Sequence, residues 1–358
     1  MPTLHKFAVL VVGAALLFGL LLMPEDPHGG KEAGAVVSPG TGTPGPSASA
    51  PPTKGPPPKP QPASAEATAA KADELGQVPV LMYHRIVAKK AADLDRTPKE
   101  LRTELEALAT AGYVPVTAAE YVQGKIDIPL GKHPVVLTFD DGYPDHIALD
   151  AQGAPAPDTA AGVIMDVASR HPEFRPVATF YVIKDPFQLG ATGPDPTLTW
   201  LVDHGFEVAN HTSTHPDLSR LSEKKVQKEI GDQEKLVQKL TGRPSITFAY
   251  PYGAVPKKHQ WAMKGDGWAF QGAFLAGYDP APSPFDKRLD RAKIPRIRSM
   301  GKVKKDGCDQ FCSTAWLAWL DKNPGKRYTS DGDPSVITVP EAEVKDLAPG
   351  LAEKARIY

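Results

Sequence analysis

A chain of 358 residues has room for one large α/β domain or two ordinary ones. Forty-one Lys and Arg against 42 Asp and Glu leave a net charge of −1, so no basic excess exists to hold a nucleic-acid backbone. The apolar share of 41% excludes wholesale disorder, and the 38 prolines, about twice the usual ~5%, show where order stops.

Phe7 to Met23 is an uninterrupted apolar run of 17 residues, with His5-Lys6 before it and Pro24-Glu25-Asp26 behind. As a helix it would reach ~26 Å, enough for a thin bilayer core. Met23-Pro24 offers no small-residue cleavage site, and Ala33-Gly34-Ala35 lies far downstream. Residues 1–24 therefore read as an uncleaved membrane anchor, with a cleaved signal peptide as the alternative. Either reading puts the protein outside the cytoplasm, membrane-anchored through residues 7–23 or secreted.

Residues 25–75 are rich in Pro, Gly, Ser, Ala and Thr, with 12 prolines between Pro24 and Pro62. Such a stretch predicts an extended, disordered linker. Gly40 to Gly45 spells GxGxxG, but with no strand before it or helix after it the motif carries no dinucleotide reading. Residues 76–358 are left as one catalytic-sized domain.

Within that domain short apolar runs alternate with helical patterns. Val78 to Tyr83 predicts a strand. Thr97-Pro98-Lys99-Glu100 has capping-box spacing ahead of Leu101, Leu105 and Leu108, and Thr117 with Glu120 repeats it. Strands are predicted over 135–139, 177–183, 206–209, 246–250, 273–276 and 294–297, with helices over 159–170, 197–204 and 222–240. Strands separated by helices indicate a parallel sheet, and seven or eight such units favour a closed or nearly closed barrel. Chemistry then belongs at the C-terminal strand ends, where Tyr83-His84, Asp140-Asp141, Asn210-His211 and Pro251-Tyr252-Gly253 all fall.

Thr138-Phe139-Asp140-Asp141-Gly142 sets two adjacent carboxylates at such an end. Consecutive side chains of extended backbone point opposite ways, so one can bind a metal while the other faces substrate. Alone, an Asp-Asp-Gly is more often an ordinary turn. His211 and His215 are four residues apart, a spacing that one helical turn would aim at one point. Alone, this too is more often a pair of surface histidines. Together on one chain they form a set of two His and a carboxylate, which leaves open positions for water and substrate. The sequon Asn210-His211-Thr212 reads as incidental.

These motifs resemble the polysaccharide deacetylase family, the NodB-homology or carbohydrate esterase family 4 type. TFDDG is matched letter for letter at Thr138 to Gly142, and H[ST]xxH at His211 to His215. The resemblance implies a distorted (β/α) barrel of about seven strands that removes acetyl groups from a glycan. It implies Asp140 as general base and Asp141, His211 and His215 as metal ligands. Because hydrolysis needs no redox change, Zn²⁺ is the default ion. Val80 to His84 and Phe248 to Gly253 are similar to the branch acting on β-1,6-linked poly-N-acetylglucosamine, which makes His84 the candidate general acid. Pro251 and the backbone N–H of Tyr252 become candidate substrate or oxyanion contacts.

Two departures stand out. Ala249-Tyr250-Pro251-Tyr252 keeps the Pro-Tyr of the third family motif and lacks its Arg. Arg296, interrupting the apolar run Ile294 to Ile297, either faces solvent or supplies that cation to Asp140. The fourth motif has no clear match, and Asp279 is the best-placed stand-in. Among the other residues, His146 reads as a surface loop residue, Trp200, Trp261 and Trp268 as core, and Cys308 with Cys312 as a local disulfide rather than a metal site. The tail after Trp319 reads as polar and uninformative. The resulting expectation is an extracytoplasmic, monomeric, metal-dependent deacetylase of poly-N-acetylglucosamine, chitin oligomers or peptidoglycan. Its rivals are an idle glycan-binding or wall-tethering protein of the same fold and an O-acetyl-xylan esterase.

Overall fold

A computed structural model describes residues 60–300 and 307–358. The expected anchor over residues 1–24, most of the linker and the Gly40–Gly45 motif lie outside the described residues. Among the described residues no helix is long and apolar enough to cross a membrane.

The linker expected over residues 25–75 ends earlier than its composition suggests. β1 (Gln61–Pro62) and α1 (Ala65–Ala69) already belong to the fold, and Ser64 caps α1 by accepting the Ala67 N–H at 3.0 Å. Ala67, Ala72 and Leu75 are buried. The reason lies at the far end of the chain, because β1 pairs in parallel with residues 356–357.

From there strands and helices alternate as the pattern predicts: β2 (Val80–Tyr83), α2 (Pro98–Thr110), β3 (Tyr113–Val116), α3 (Ala118–Gln123), β4 (His133–Asp141) and α4 (Ala160–Arg170). Next come β5 (Thr179–Val182), α5 (Pro196–Asp203), β6 (Glu207–Asn210), α6 (Glu223–Thr241) and β7 (Thr247–Ala249). Both capping boxes form, Thr97 with Glu100 and Thr117 with Glu120, so α2 and α3 start where their free N–H groups find side-chain acceptors. α7 (Gln260–Met263) leads into a small antiparallel pair, β8 (Lys264–Gly265) and β9 (Trp268–Ala269). β10 (Gly272–Phe274) and β11 (Ile297–Arg298) return to the main sheet.

That sheet has eight strands, running β10-β7-β6-β5-β4-β2-β11 with β3 also on β4, and every pairing is parallel. It is curled in the manner of a distorted barrel. The segment before β11 bridges β10 at Phe274–Ile294, and β11 itself pairs with β2 at Ile297–Leu81, so one stretch of chain touches both ends of the strand order.

Alternation along the strands sorts two cores. Leu81, Leu137, Phe139 and Phe180 pack against Leu101, Leu105, Val163 and Leu201 of the surrounding helices. Val80, Val136, Tyr181, Ala209, Ala249, Phe274 and Ile294 fill the opposite face, inside the curl. Ile294 lies in this inner cluster and Ile297 in the helix-facing one. Arg296, even-numbered like Ile294, is carried inward by the same period of two.

The chain after Trp319, uninformative as a sequence, folds into regular structure. Past α8 (Cys308–Phe311) and α9 (Ser313–Lys322), β12 (Ile337–Val339) and β13 (Ala355–Ile357) join β1 in a three-stranded parallel sheet. Tyr328, Ile337 and Val339 are buried beneath it. A few apolar residues spaced among polar ones fall below any periodicity signal, yet they suffice once a partner strand exists. Cys308 and Cys312 form the expected disulfide.

Candidate active site

The C-terminal ends of β2, β4, β6, β7 and β10 open into one cleft of about 1350 Å³, lined by His84, Asp140, Asp141, His211, His215 and Tyr252 among others. Asp141, Thr212, His215 and Tyr252 all have positive φ (76°, 67°, 56° and 59°), although none is glycine. Such backbone costs about 1–3 kcal/mol per residue and persists where the surroundings over-determine it.

The two histidines do not share a helical turn, as their spacing suggested. They sit on a loop after β6, where the Asn210 side chain accepts the Thr212 N–H at 2.9 Å and the Thr212 hydroxyl accepts the His215 N–H at 3.1 Å. Asn210 is itself buried, its amide donating to the Ile230 carbonyl at 3.0 Å and to Glu234 at 3.1 Å. The apparent sequon is therefore internal scaffolding that shapes a tight turn.

This turn brings His215 Nε2 to 3.4 Å and His211 Nε2 to 3.6 Å from Asp141 Oδ1. One ligand atom from each of the three residues lies within 4.8 Å of the others. Asp141 Oδ1 is buried and has no hydrogen-bond partner, a costly state for a carboxylate oxygen unless a cation faces it. The Nδ1 of His211 lies 2.8 Å from the Ala249 carbonyl, which can only accept, so Nδ1 carries the hydrogen and the Nε2 lone pair, on the Asp141 side, is free to ligate a cation. Burial holds the His211 pKa below its ordinary value, which keeps that lone pair free. The donor set fits a divalent cation, with two imidazoles and one carboxylate converging from one side.

Asp140 is gripped from behind by a guanidinium while its Oδ2 stays 3.8 Å from His211 Nε2. Arg296, fully buried at 0% exposure, donates from Nη1 to Oδ1 and from Nη2 to Oδ2 of Asp140, both at 2.7 Å. Its Nε donates to the Leu275 carbonyl at 2.6 Å, and Nη1 also reaches the Thr138 hydroxyl at 3.1 Å. The guanidinium is thus held on three sides, and the solvent-facing alternative for Arg296 does not occur. Burial pushes the Asp140 carboxyl up, but Arg296 and His211 outweigh it and hold the group well below the usual carboxylate range.

His84 lines the same cleft beyond the end of β2, and its Nδ1 is buried without a partner. Burial lowers its pKa against the pull of Asp140 and Asp141. Asp279, the expected support for this imidazole, is exposed and does not line the cleft. Leu275 to Tyr278, directly after β10, line the cleft, and the chain leaves it only at Asp279. His146 corrects a second expectation. It is fully buried rather than on the surface, and its Nε2 lies 2.9 Å from the backbone carbonyl of His84.

Pro251 and Tyr252 form a one-turn 3-10 segment beside the ligand loop, with Pro251 buried. The Tyr252 ring, 70% exposed, stands 4.5 Å from that of His215. Across the cleft Tyr278 is 56% exposed, with the Arg298 guanidinium 5.4 Å from its ring. Neither Tyr278 nor the Arg85–Asp95 pair on the rim carried a signal in the sequence. Trp200, Trp261 and Trp268, expected in the core, do not line the cleft.

Comparison with known proteins agrees with this geometry. Residues 127–270 match the family model for polysaccharide deacetylase, spanning both the Asp-Asp and the His-His motifs. Residues 127–270 carry a polysaccharide deacetylase domain of the NodB-homology type. The chain is 28% identical over 163 residues to a peptidoglycan-N-acetylmuramic acid deacetylase of Bacillus subtilis, covering 46% of this chain and 29% of that protein. It is 32% identical over 126 residues to a chitooligosaccharide deacetylase of Sinorhizobium fredii, covering 34% of this chain and 48% of that protein. The chain thus spans less than half the length of these two relatives. A Streptococcus pyogenes deacetylase solved in complex with acetate shares the fold, with a TM-score of 0.51 at 21% identity over 66% of this chain and 98% of that one. His84 and Arg296 both lie outside the matched residues 127–270, so their placement comes from the structure alone.

Proposed function

We propose that this protein is an extracytoplasmic, zinc-dependent hydrolase that removes acetyl groups from an N-acetylglucosamine-containing polysaccharide. The observation that carries this reading is the division of labour between two neighbouring carboxylates. Asp141 faces two imidazoles and Asp140 faces a guanidinium.

Asp141, His211 and His215 would hold the ion, which when bound polarises the acetyl carbonyl and acidifies water. Asp140, ionised and fixed by Arg296, accepts the proton of the attacking water. The low pKa limits its basicity, while the two-point clamp keeps its oxygens aimed, and orientation is worth more than a mobile, stronger base. The Tyr252 N–H, in a segment turned by its positive φ, would face the developing oxyanion in this reading. His84 then donates to the departing sugar nitrogen; burial lowers its pKa, which makes its imidazolium a stronger acid but a scarcer one. The cleft exceeds the ~300–1,000 Å³ of ordinary small-molecule sites, and its two exposed tyrosines suit the faces of sugar rings along a polymer. The missing third-motif Arg speaks slightly for the idle-binder rival, and the Arg296–Asp140 contact weakens that argument.

The test is acetate release by the full chain from poly-β-1,6-N-acetylglucosamine, chitin oligomers and peptidoglycan, with acetylated xylan alongside. Release from an amino-sugar polymer, abolished by a chelator and restored by zinc, is expected. Release from xylan alone would assign an esterase, and no release from any substrate would end the enzymatic reading.

A further inference from the structure

Resting on that reading, we infer that Asp145 and His146 are a positioning pair that sets the proton donor His84 against the reacting bond. β2 ends at Tyr83, so the polar backbone groups of residues 84–86 leave the sheet ladder just where His84 must be aimed. Two consecutive residues from the loop after β4 take them up. Asp145 Oδ1 accepts the Ile86 N–H at 2.9 Å, and His146 Nε2 donates to the His84 carbonyl at 2.9 Å. The loop that follows the two catalytic carboxylates therefore grips the loop that carries the acid on both sides of Arg85. The three functional side chains are referenced to one piece of backbone.

The surroundings of His146 show that this bond is what the imidazole is for. Its ring lies among Phe139, Tyr143, Phe180 and Phe187, with centroids 5.5 to 6.3 Å away. A phenylalanine would satisfy such a box at lower desolvation cost. Burial pushes the His146 pKa down to about 4, so the ring is neutral. A carbonyl can only accept, so the hydrogen sits on Nε2 and Nδ1 is left buried without a partner. The hydrogen bond to His84, with Asp145 Oδ1 3.9 Å from the same nitrogen, is set against burying an imidazole among aromatic rings.

The experiment compares kcat and KM of the zinc-loaded full-length protein on an N-acetylated chitin oligomer and on an aryl acetate ester. The leaving phenolate of the ester needs no proton donor, whereas the amine does. His146→Phe should fill the aromatic box, lower kcat on the amide by roughly 10- to 10²-fold, as a misplaced catalytic group does, and leave KM, zinc content and ester turnover nearly unchanged. His146→Gln, whose amide can donate to the same carbonyl, should recover most of the loss, and Asp145→Ala should reproduce it. Equal losses on amide and ester, or no loss on either, would overturn the inference. If His146→Phe does not fold, the amide-to-ester ratio in His146→Gln and Asp145→Ala decides in its place. His84→Ala separates the two levels. If it leaves that ratio unchanged, the acid assignment and this inference fall together. If it changes the ratio and the Asp145 and His146 variants do not, the positioning pair alone is wrong. A wild-type protein inactive on both substrates, and on poly-β-1,6-N-acetylglucosamine and peptidoglycan as well, would instead end the proposed function.

Discussion

Arg296 reaches Asp140 with a fork of two 2.7 Å hydrogen bonds, and both side chains are almost wholly buried. Removing one partner of such a pair strands the other charge, at a cost of about 3–5 kcal/mol. Arg296→Met is therefore expected to lower thermal stability as well as turnover. Arg296→Lys keeps the charge and loses the planar fork. It should remain folded and retain zinc while kcat falls, and a Lys variant with wild-type kcat would show that the fork does not orient Asp140. The neighbouring carboxylates can be told apart in the same way. Asp140→Asn should keep stoichiometric zinc and lose activity by roughly 10²-fold or more, as the loss of a general base does. Asp141→Asn should lose zinc itself, because Asp141 Oδ1 is the oxygen facing both imidazoles. Metal analysis with the two phenotypes exchanged would reverse the assignment.

At the scale of elements, the small sheet of β1, β13 and β12 ties the start of the folded chain to its end. Glu74 lies beneath it, accepting from the Tyr328 hydroxyl at 2.8 Å and the Thr338 N–H at 3.0 Å. Burial, reinforced by the charge of Asp331, pushes its pKa up to about 8 against those two bonds. Burial likewise raises Asp73 beside it to about 6. A carboxyl whose folded-state pKa is raised binds its proton more tightly in the native state. Its contribution is complete below the unfolded value near 4.5 and is lost as pH rises towards about 8. Thermal unfolding should accordingly show stability declining across that window. Glu74→Gln, which cannot ionise, should flatten the decline, and an unchanged pH profile in that variant would show that Glu74 does not titrate there.

Across the whole molecule, what could be read in the chain was local. Helix starts at Thr97 and Thr117 depend on side chains three residues away, and strand positions on a period of two, so both were legible without a structure. The two metal motifs were legible for the same reason, since each is a contiguous strand end and turn. The sequence determined the alternating strands and helices, the parallel sheet and the identity of the residues gathered at its C-terminal edge. Tertiary structure decided whatever depends on a partner far along the chain. Arg296 reaches a carboxylate 156 residues away, and β1 finds β13 at the opposite terminus. His146 became an interior residue because β2 ends beside its loop, and Asp279 falls one residue past Tyr278, where the chain leaves the cleft. Even the His211–His215 spacing suggested a helix, until Asn210, anchored on α6, imposed a turn with positive φ. Propensity and periodicity report what a segment can do alone. The direction of a buried side chain is set instead by the nearest hydrogen-bond partner that packing makes available, and that partner is invisible until the chain has closed on itself.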